Sequence, residues 1–138
     1  MKKYKILEHT ADLEIRAWGR DLKELFCNMA KGMFHSISPE SIRNKIPKSE
    51  KKEKISLSSP DKEALLVDWL NELLYLYNIN RKIYLSFKIT KLTCKELEAE
   101  VFGVRPEEEE LLIKAATYHN LKIIKKDGKW QATVIFDI

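Results

Sequence analysis

The sequence predicts an α+β fold, two amphipathic helices packed on a largely antiparallel sheet, and three observations carry that prediction. Apolar residues recur at helical spacing in two stretches, residues 22–37 and the segment after Pro60. Alternating runs with a period of two occupy 4–8, 13–19, 54–58, 83–89, 97–101 and 130–136. Short turns join most of these runs, which makes neighbours antiparallel, because parallel strands need long crossovers. At 138 residues the chain fits one domain, 1–138, able to bury roughly two-thirds of its unfolded surface.

The elements follow in order. Residues 4–8 and 13–19 form a first hairpin, with Leu13, Ile15 and Ala17 on one face and Glu14, Arg16 and Trp18 on the other. Asp21 with Glu24 three positions on is a capping box, and Leu22, Leu25, Phe26, Met29, Met33, Phe34 and Ile37 then keep helical spacing up to Pro39. Residues 38–51 hold Ser, Pro, Asn and Lys without a period and read as an exposed connection. Residues 54–58 alternate as a half-buried strand. Ser59 before Pro60 is the expected start of the second helix, which Leu66, Trp69, Leu70, Leu73, Leu74 and Tyr77 line on one face.

From Ile83 the period drops to two, giving a hairpin that turns near residues 93–95. Pro106 and the acidic run Glu107 to Glu110 fit a short helical turn, since carboxylates suit a helix N-terminus. Residues 113–125 then run as one strand to Asp127-Gly128, the strongest hairpin signal in the chain, and residues 130–136 return. That is about seven strands, with no internal repeat and no linker.

Composition excludes several classes. Charged residues make up 33% and hydrophobic ones 44%, the balance of an ordered globular chain. The 25 basic and 21 acidic residues leave a net charge of only +4, and the basic run at 45–54 has no interleaved aromatics for base stacking. Cys27 and Cys94 form no CxxC and read as reduced thiols of a cytoplasmic protein. The N-terminal lysines precede no apolar stretch of a signal peptide, and the most apolar segment, 64–77, is interrupted by Asp68, Asn71 and Glu72, which argues against a membrane span. Four glycines in all leave little for a phosphate-cradling loop, and no HExxH or Ser/His/Asp frame is present.

Two short pieces concentrate ligand atoms. Glu8-His9-Thr10-Ala11-Asp12 interrupts the first hairpin, and Ile135-Phe136-Asp137-Ile138 is a strand running to the last residue, where the Asp137 carboxylate lies next to the main-chain carboxylate of Ile138. If the fold joins them, their oxygens make a set for a hard divalent cation such as Ca²⁺ or Mg²⁺. Each residue also has a plainer reading: Asp12 as a turn or bulge residue, His9 as a structural imidazole, Asp137 as a solvated edge-strand carboxylate. Lys114, Tyr118 and His119 share one stretch, and although two of them could be acid–base groups, a strand pair with exposed Lys and His needs no catalytic account. These residues describe a binding or accessory protein better than a stand-alone enzyme.

Four blocks resemble the archease family in the right order: His9-Thr10-Ala11-Asp12 with Ile15-Arg16-Ala17-Trp18-Gly19; residues 64–74, ALLVDWLNELL; residues 113–119, IKAATYH; and the ending Val134-Ile135-Phe136-Asp137-Ile138. The resemblance implies a small α+β protein with a strand-helix-strand-strand (SHS2-like) module. It implies a non-enzymatic cofactor of the RtcB-type RNA ligase in tRNA splicing and repair, promoting guanylylation of the ligase and its multiple turnover and widening its use of NTPs. Contact with tRNA is then indirect, and the site of action is the cytoplasm. Metal ligands by resemblance are Asp12, Asp137 and the carboxylate of Ile138, for Ca²⁺ first with Mg²⁺ or Mn²⁺ as alternatives. Lys114 matches a lysine implicated in activation, and His119 and His9 are further candidates. Two positions depart from the family pattern: Ala116 stands for a common Val, and Asn120 for a common Asp, which removes a carboxylate beside His119. The alternative from another class is a chaperone or adaptor that stabilises a partner, for example an RNA-modifying enzyme. A stand-alone hydrolase built on His9, His119 and a metal is the third reading.

Overall fold

Alternation sets the first pair of strands. In the computed structural model, which describes residues 2–8, 12–38, 52–106 and 113–138, β1 (Tyr4–Glu8) pairs antiparallel with β2 (Asp12–Gly19), Ile6 opposite Ile15. Leu13, Ile15 and Ala17 are buried and the residues between them are half-buried, as the period predicts. Helix α1 (Leu22–Ile37) starts at the expected cap: the Asp21 carboxylate accepts from Glu24 N at 2.8 Å. Glu24 reaches back to Arg20 N at 3.1 Å, one residue before the cap.

The second helix corrects one expectation. Strand β3 (Glu53–Ser58) is followed by α2 (Lys62–Asn80), whose N-cap is Asp61, accepting from Ala64 N at 2.7 Å. Ser59 instead donates its hydroxyl to Asp68 Oδ2 at 2.5 Å. A carboxylate one residue past the proline won over the hydroxyl before it, because only Asp61 stands three residues from an unpaired helical N–H. Leu65 and Val67, off the predicted apolar stripe, are also buried. Helix α2 is covered on more than one side, by α1, by strands of both sheets and by Ile113 and Ile123 of the core.

Strands β4 (Ile83–Leu92) and β5 (Glu96–Val104) form the second expected hairpin, closed by Thr93, whose hydroxyl accepts from Glu96 N at 2.9 Å. The elements β3, α2, β4 and β5 run strand-helix-strand-strand, and their strands make a three-stranded antiparallel sheet in the order β3-β5-β4. The other strands lie in a second sheet of five, so the single predicted sheet is in fact two. Its order is β1-β2-β8-β6, with β7 also on β8, where β6 is Ala115–Ala116, β7 is Ile124–Lys126 and β8 is Lys129–Asp137. All pairings in both sheets are antiparallel. Helix α1 packs between them, against β1, β2 and β8 on one side and β4 on the other.

The predicted continuous strand over 113–125 is broken. Ala116 pairs with Phe136 and Ile124 with Gln131, so seven residues of this segment span four of β8. The excess is taken up in a turn where Asn120 adopts φ 54° and Leu121 N donates to Tyr118 O at 2.9 Å. Asparagine tolerates that left-handed backbone better than most residues. The interruption raises the number of strands from about seven to eight among the described residues. The connection over 39–51, the helical turn expected at 107–110, and His9 lie outside the described residues.

Candidate functional site

The register between β2 and β8 places Asp12 directly opposite Asp137. Burial enforces that register: Leu13, Ile15 and Ala17 face inward beside Phe136, Val134 and Ala132, and a slip of one residue would turn the three of the slipped strand outward. The outer face adds cross-strand bonds, from Arg16 Nε to Thr133 Oγ1 and from Trp18 Nε1 to Gln131 Oε1, both at 3.0 Å. Asp12 and Asp137 share this outer face, where a directly opposed pair has Cβ atoms about 4.5–5.5 Å apart.

Two carboxylates in that position repel unless a cation sits between or beside them. Hard oxygen donors of this kind suit Ca²⁺ or Mg²⁺, with water or main chain completing the shell. Ile138 follows at once and is 38% exposed, so its main-chain oxygens lie at the same end of the sheet. Among the described residues, no group of three or more His, Cys, Asp or Glu side chains is placed to hold a metal. Among the described residues the carboxylates opposed at this tip are those of Asp12 and Asp137, and His9 lies outside the described residues.

Lys114 enters from the other side of β8. Its backbone N donates to Asp137 O at 2.8 Å and its side chain is exposed, one residue before Ala115, the second partner of Asp137. The fold therefore gathers Asp12, Asp137, Ile138 and Lys114 at one tip. His119 is exposed in the turn after β6, its N–H donating to Thr117 Oγ1 at 3.3 Å. Beside it the Tyr118 phenol is held above its ordinary pKa, by partial burial first and then by Asp68 and Asp61, so at neutral pH it is a proton donor and no base. The Cys27 thiol is pushed up to about 11, chiefly by burial, and stays neutral. Both cysteines are free, as expected.

Sequence reasoning overlooked Asn71. From α2 it grips the backbone of Ala116 twice, accepting from Ala116 N at 2.8 Å and donating to Ala116 O at 3.2 Å. Thr117 adds bonds from its N and Oγ1 to Ile135 O, at 3.0 and 2.8 Å, and Ile123 N donates to Glu63 Oε2 at 3.1 Å. These contacts hold the strand that carries Lys114 against the tip. The available signal was an amide inside an otherwise apolar helical run, a costly choice unless it has a partner. Asn71→Ala is expected to speed amide exchange at Ala116 about tenfold or more while the core of α1 stays protected, since two bonds at roughly 1 kcal/mol each are lost. Unchanged protection at Ala116 would show that the clamp does not hold the strand.

Comparison with known proteins shows the family and the fold. Residues 4–138 match the family model described as Archease protein family (MTH1598/TM1083). A protein from Methanosarcina mazei named Protein archease is 37% identical, over 99% of this chain and 97% of that one. Its counterpart from Pyrococcus abyssi is 36% identical over the whole of both chains. The solution structure of Methanobacterium thermoautotrophicum protein 1598 superposes with a TM-score of 0.78 at 29% identity, covering all of both chains. The Thermotoga maritima protein solved as "an archease, possible chaperone" has a TM-score of 0.63 at 21% identity, over 97% of this chain and 96% of that one, and shares the fold. No helix among the described residues is long and apolar enough to cross a membrane.

Proposed function

The chain belongs to the archease family, and from that premise we propose that it is an accessory protein, not an enzyme, that activates an RtcB-type RNA ligase in tRNA splicing and repair. It promotes guanylylation of the ligase's histidine and multiple turnover, widens NTP use, and works in the cytoplasm. The observation that supports this reading is the pairing of Asp12 with Asp137 at an exposed sheet end, with Lys114 beside them. Asp12, Asp137 and the main-chain carboxylate of Ile138 would hold a divalent cation, Ca²⁺ first and Mg²⁺ or Mn²⁺ otherwise. When bound, that ion supplies positive charge to neutralise phosphate oxygens.

The chain's own residues supply position. Rigid strands with a fixed register present the two carboxylates as a preset pair, and Asn71 holds the Lys114 strand alongside. Lys114 carries an ammonium that pairs with a phosphate oxygen or a ligase carboxylate. Nucleotidyl transfer gains chiefly from positioning and charge neutralisation, so an added protein accelerates it without a nucleophile of its own. The test is single-turnover guanylylation of the ligase with Asp12→Asn, Asp137→Asn and a chain ending at Asp137. Each is expected to lower the stimulated rate at least about tenfold, the scale of one lost charge contact near 1.4 kcal/mol. Full stimulation by all three would remove the tip from the mechanism.

A second reading, a chaperone or adaptor, is favoured by Tyr75 and Ile79, exposed one turn apart on α2 at 57% and 55%. It predicts a higher soluble yield of the partner with no change in turnover per molecule, and indifference to the Asp12 and Asp137 variants.

A further inference from the structure

Opposite the Asp12–Asp137 tip, the same two strands end at Gly19 and Trp130, seven steps or ~24 Å away at about 3.4 Å per residue. Two grooves open at this far end. One, of about 700 Å³, is lined by Lys3, Arg20, Lys23 and Lys31 against Asp21 and Glu24. The other, of about 310 Å³, is lined by Lys2, Lys126 and Lys129 against Asp127, with Trp18 and Gln131 in its wall. They share a partition. Trp18 N donates to Lys3 O at 3.0 Å, and Trp18 O accepts from Asn28, a residue of the first groove, at 2.7 Å.

Charge accounting makes this end exceptional. Seven cationic side chains face three carboxylates, an excess as large as the net +4 of the entire chain. The carboxylates are also largely committed. Glu24 is bound by Arg20 Nε and a terminal guanidinium nitrogen at 3.2 and 3.0 Å, and Asp21 caps α1. Among the described residues, none of the six groove lysines makes an ion pair with a carboxylate outside the grooves. This cationic surface draws on none of the basic run at 45–54 that the sequence singles out, and it exists only after folding.

We propose that the paired grooves bind a single-stranded polynucleotide through its phosphates. Three features favour that occupant over an acidic protein. The cations are lysines, compact charges that suit successive phosphates, whereas carboxylate recognition favours arginine forks and the one arginine here is already used. The two linings adjoin at consecutive residues beside the edge strand β1, Lys3 in one groove and Lys2 in the other, so a backbone that rounds this edge passes from the first to the second. Trp18 is part-exposed in the wall of the second groove with its Nε1 fixed on Gln131, so an indole stands among the cations as a stacking surface. The inference rests on residues that the ligase proposal does not use, and either can fail alone.

The test is fluorescence anisotropy of a fluorescein-labelled 12-residue oligouridine with the full chain at two KCl concentrations. Binding is expected to weaken with salt, the logarithmic slope approaching about −0.7 per phosphate neutralised. Lys126→Glu with Lys129→Glu, and separately Lys3→Glu with Lys23→Glu, are each expected to weaken binding about tenfold or more and to flatten the slope. Lys88→Glu with Lys91→Glu, the same charge change on the other sheet, should leave the affinity near that of the parent. Melting curves confirm that each variant is folded. No binding at up to about 100 µM in low salt, equal weakening by all three double variants, or displacement by polyglutamate as effective as by unlabelled oligouridine would overturn the proposal.

Discussion

Gly19→Ala is expected to lower stability by roughly 3 kcal/mol, the upper end of what overpacking costs. A Cβ at this position would lie 2.4 Å from Leu25 N, 2.8 Å from Asp21 O and 2.9 Å from the Glu24 carbonyl carbon. All three are backbone atoms of the first turns of α1, so no side-chain rotation relieves the contact. Either α1 lifts from the sheet or β2 shifts against β8, and the second would disturb the pairing that brings Asp12 to Asp137. For a domain of this size the expected fall in melting temperature is about 10 °C. Melting indistinguishable from the parent protein would mean that the strand-to-helix corner is soft, and that the corner does not help to set the register.

Trp69→Ala should cost about 3–5 kcal/mol, the usual range for removing a buried aromatic. The ring is fully buried, meets Phe87 edge-on with centroids 6.0 Å apart, and donates from Nε1 to Phe26 O at 3.1 Å. It thereby ties α2 to α1 and to β4. Phe34 continues the aromatic cluster, with Tyr77, Tyr84 and Phe87 at 5.8–6.4 Å between centroids. Trp69→Phe keeps most of the volume and loses the donor, and about 1–2 kcal/mol is expected. Urea unfolding of both variants separates packing from hydrogen bonding, and equal losses would assign the whole effect to the donor. Because Asn71 is two residues further along α2, the alanine variant should also loosen the Lys114 strand.

Much of the architecture was legible because it rests on local chemistry. Helix α1 has a cap residue, a clean apolar period and a proline beyond its end, so its boundaries could be read directly. Asp127-Gly128 announced its hairpin, and both residues adopt the left-handed backbone such a turn needs, φ 53° and 76°. The start of α2 was harder, since Ser59 and Asp61 flank the same proline and both are good caps. The break in the last part of the sheet was hidden, because Ala115, Ala116 and Thr117 are equally at home in a long strand. What stops that strand is an amide on α2 and a carbonyl on β8, neither of them near in sequence.

The site divides in the same way. Its donor atoms, the carboxylates of Asp12 and Asp137, were visible as residues able to hold a hard cation, and the apolar alternation around each already required both to point away from the core. Their meeting was decided only by tertiary structure, when burying Ile15 against Val134 and Leu13 against Phe136 left one register available to two strands from opposite ends of the chain. The Asn71 clamp and the lysine-lined grooves belong to that second category. Period and capping act over a few residues, whereas groove walls and cross-strand neighbours are made of side chains that share no local pattern until the core closes.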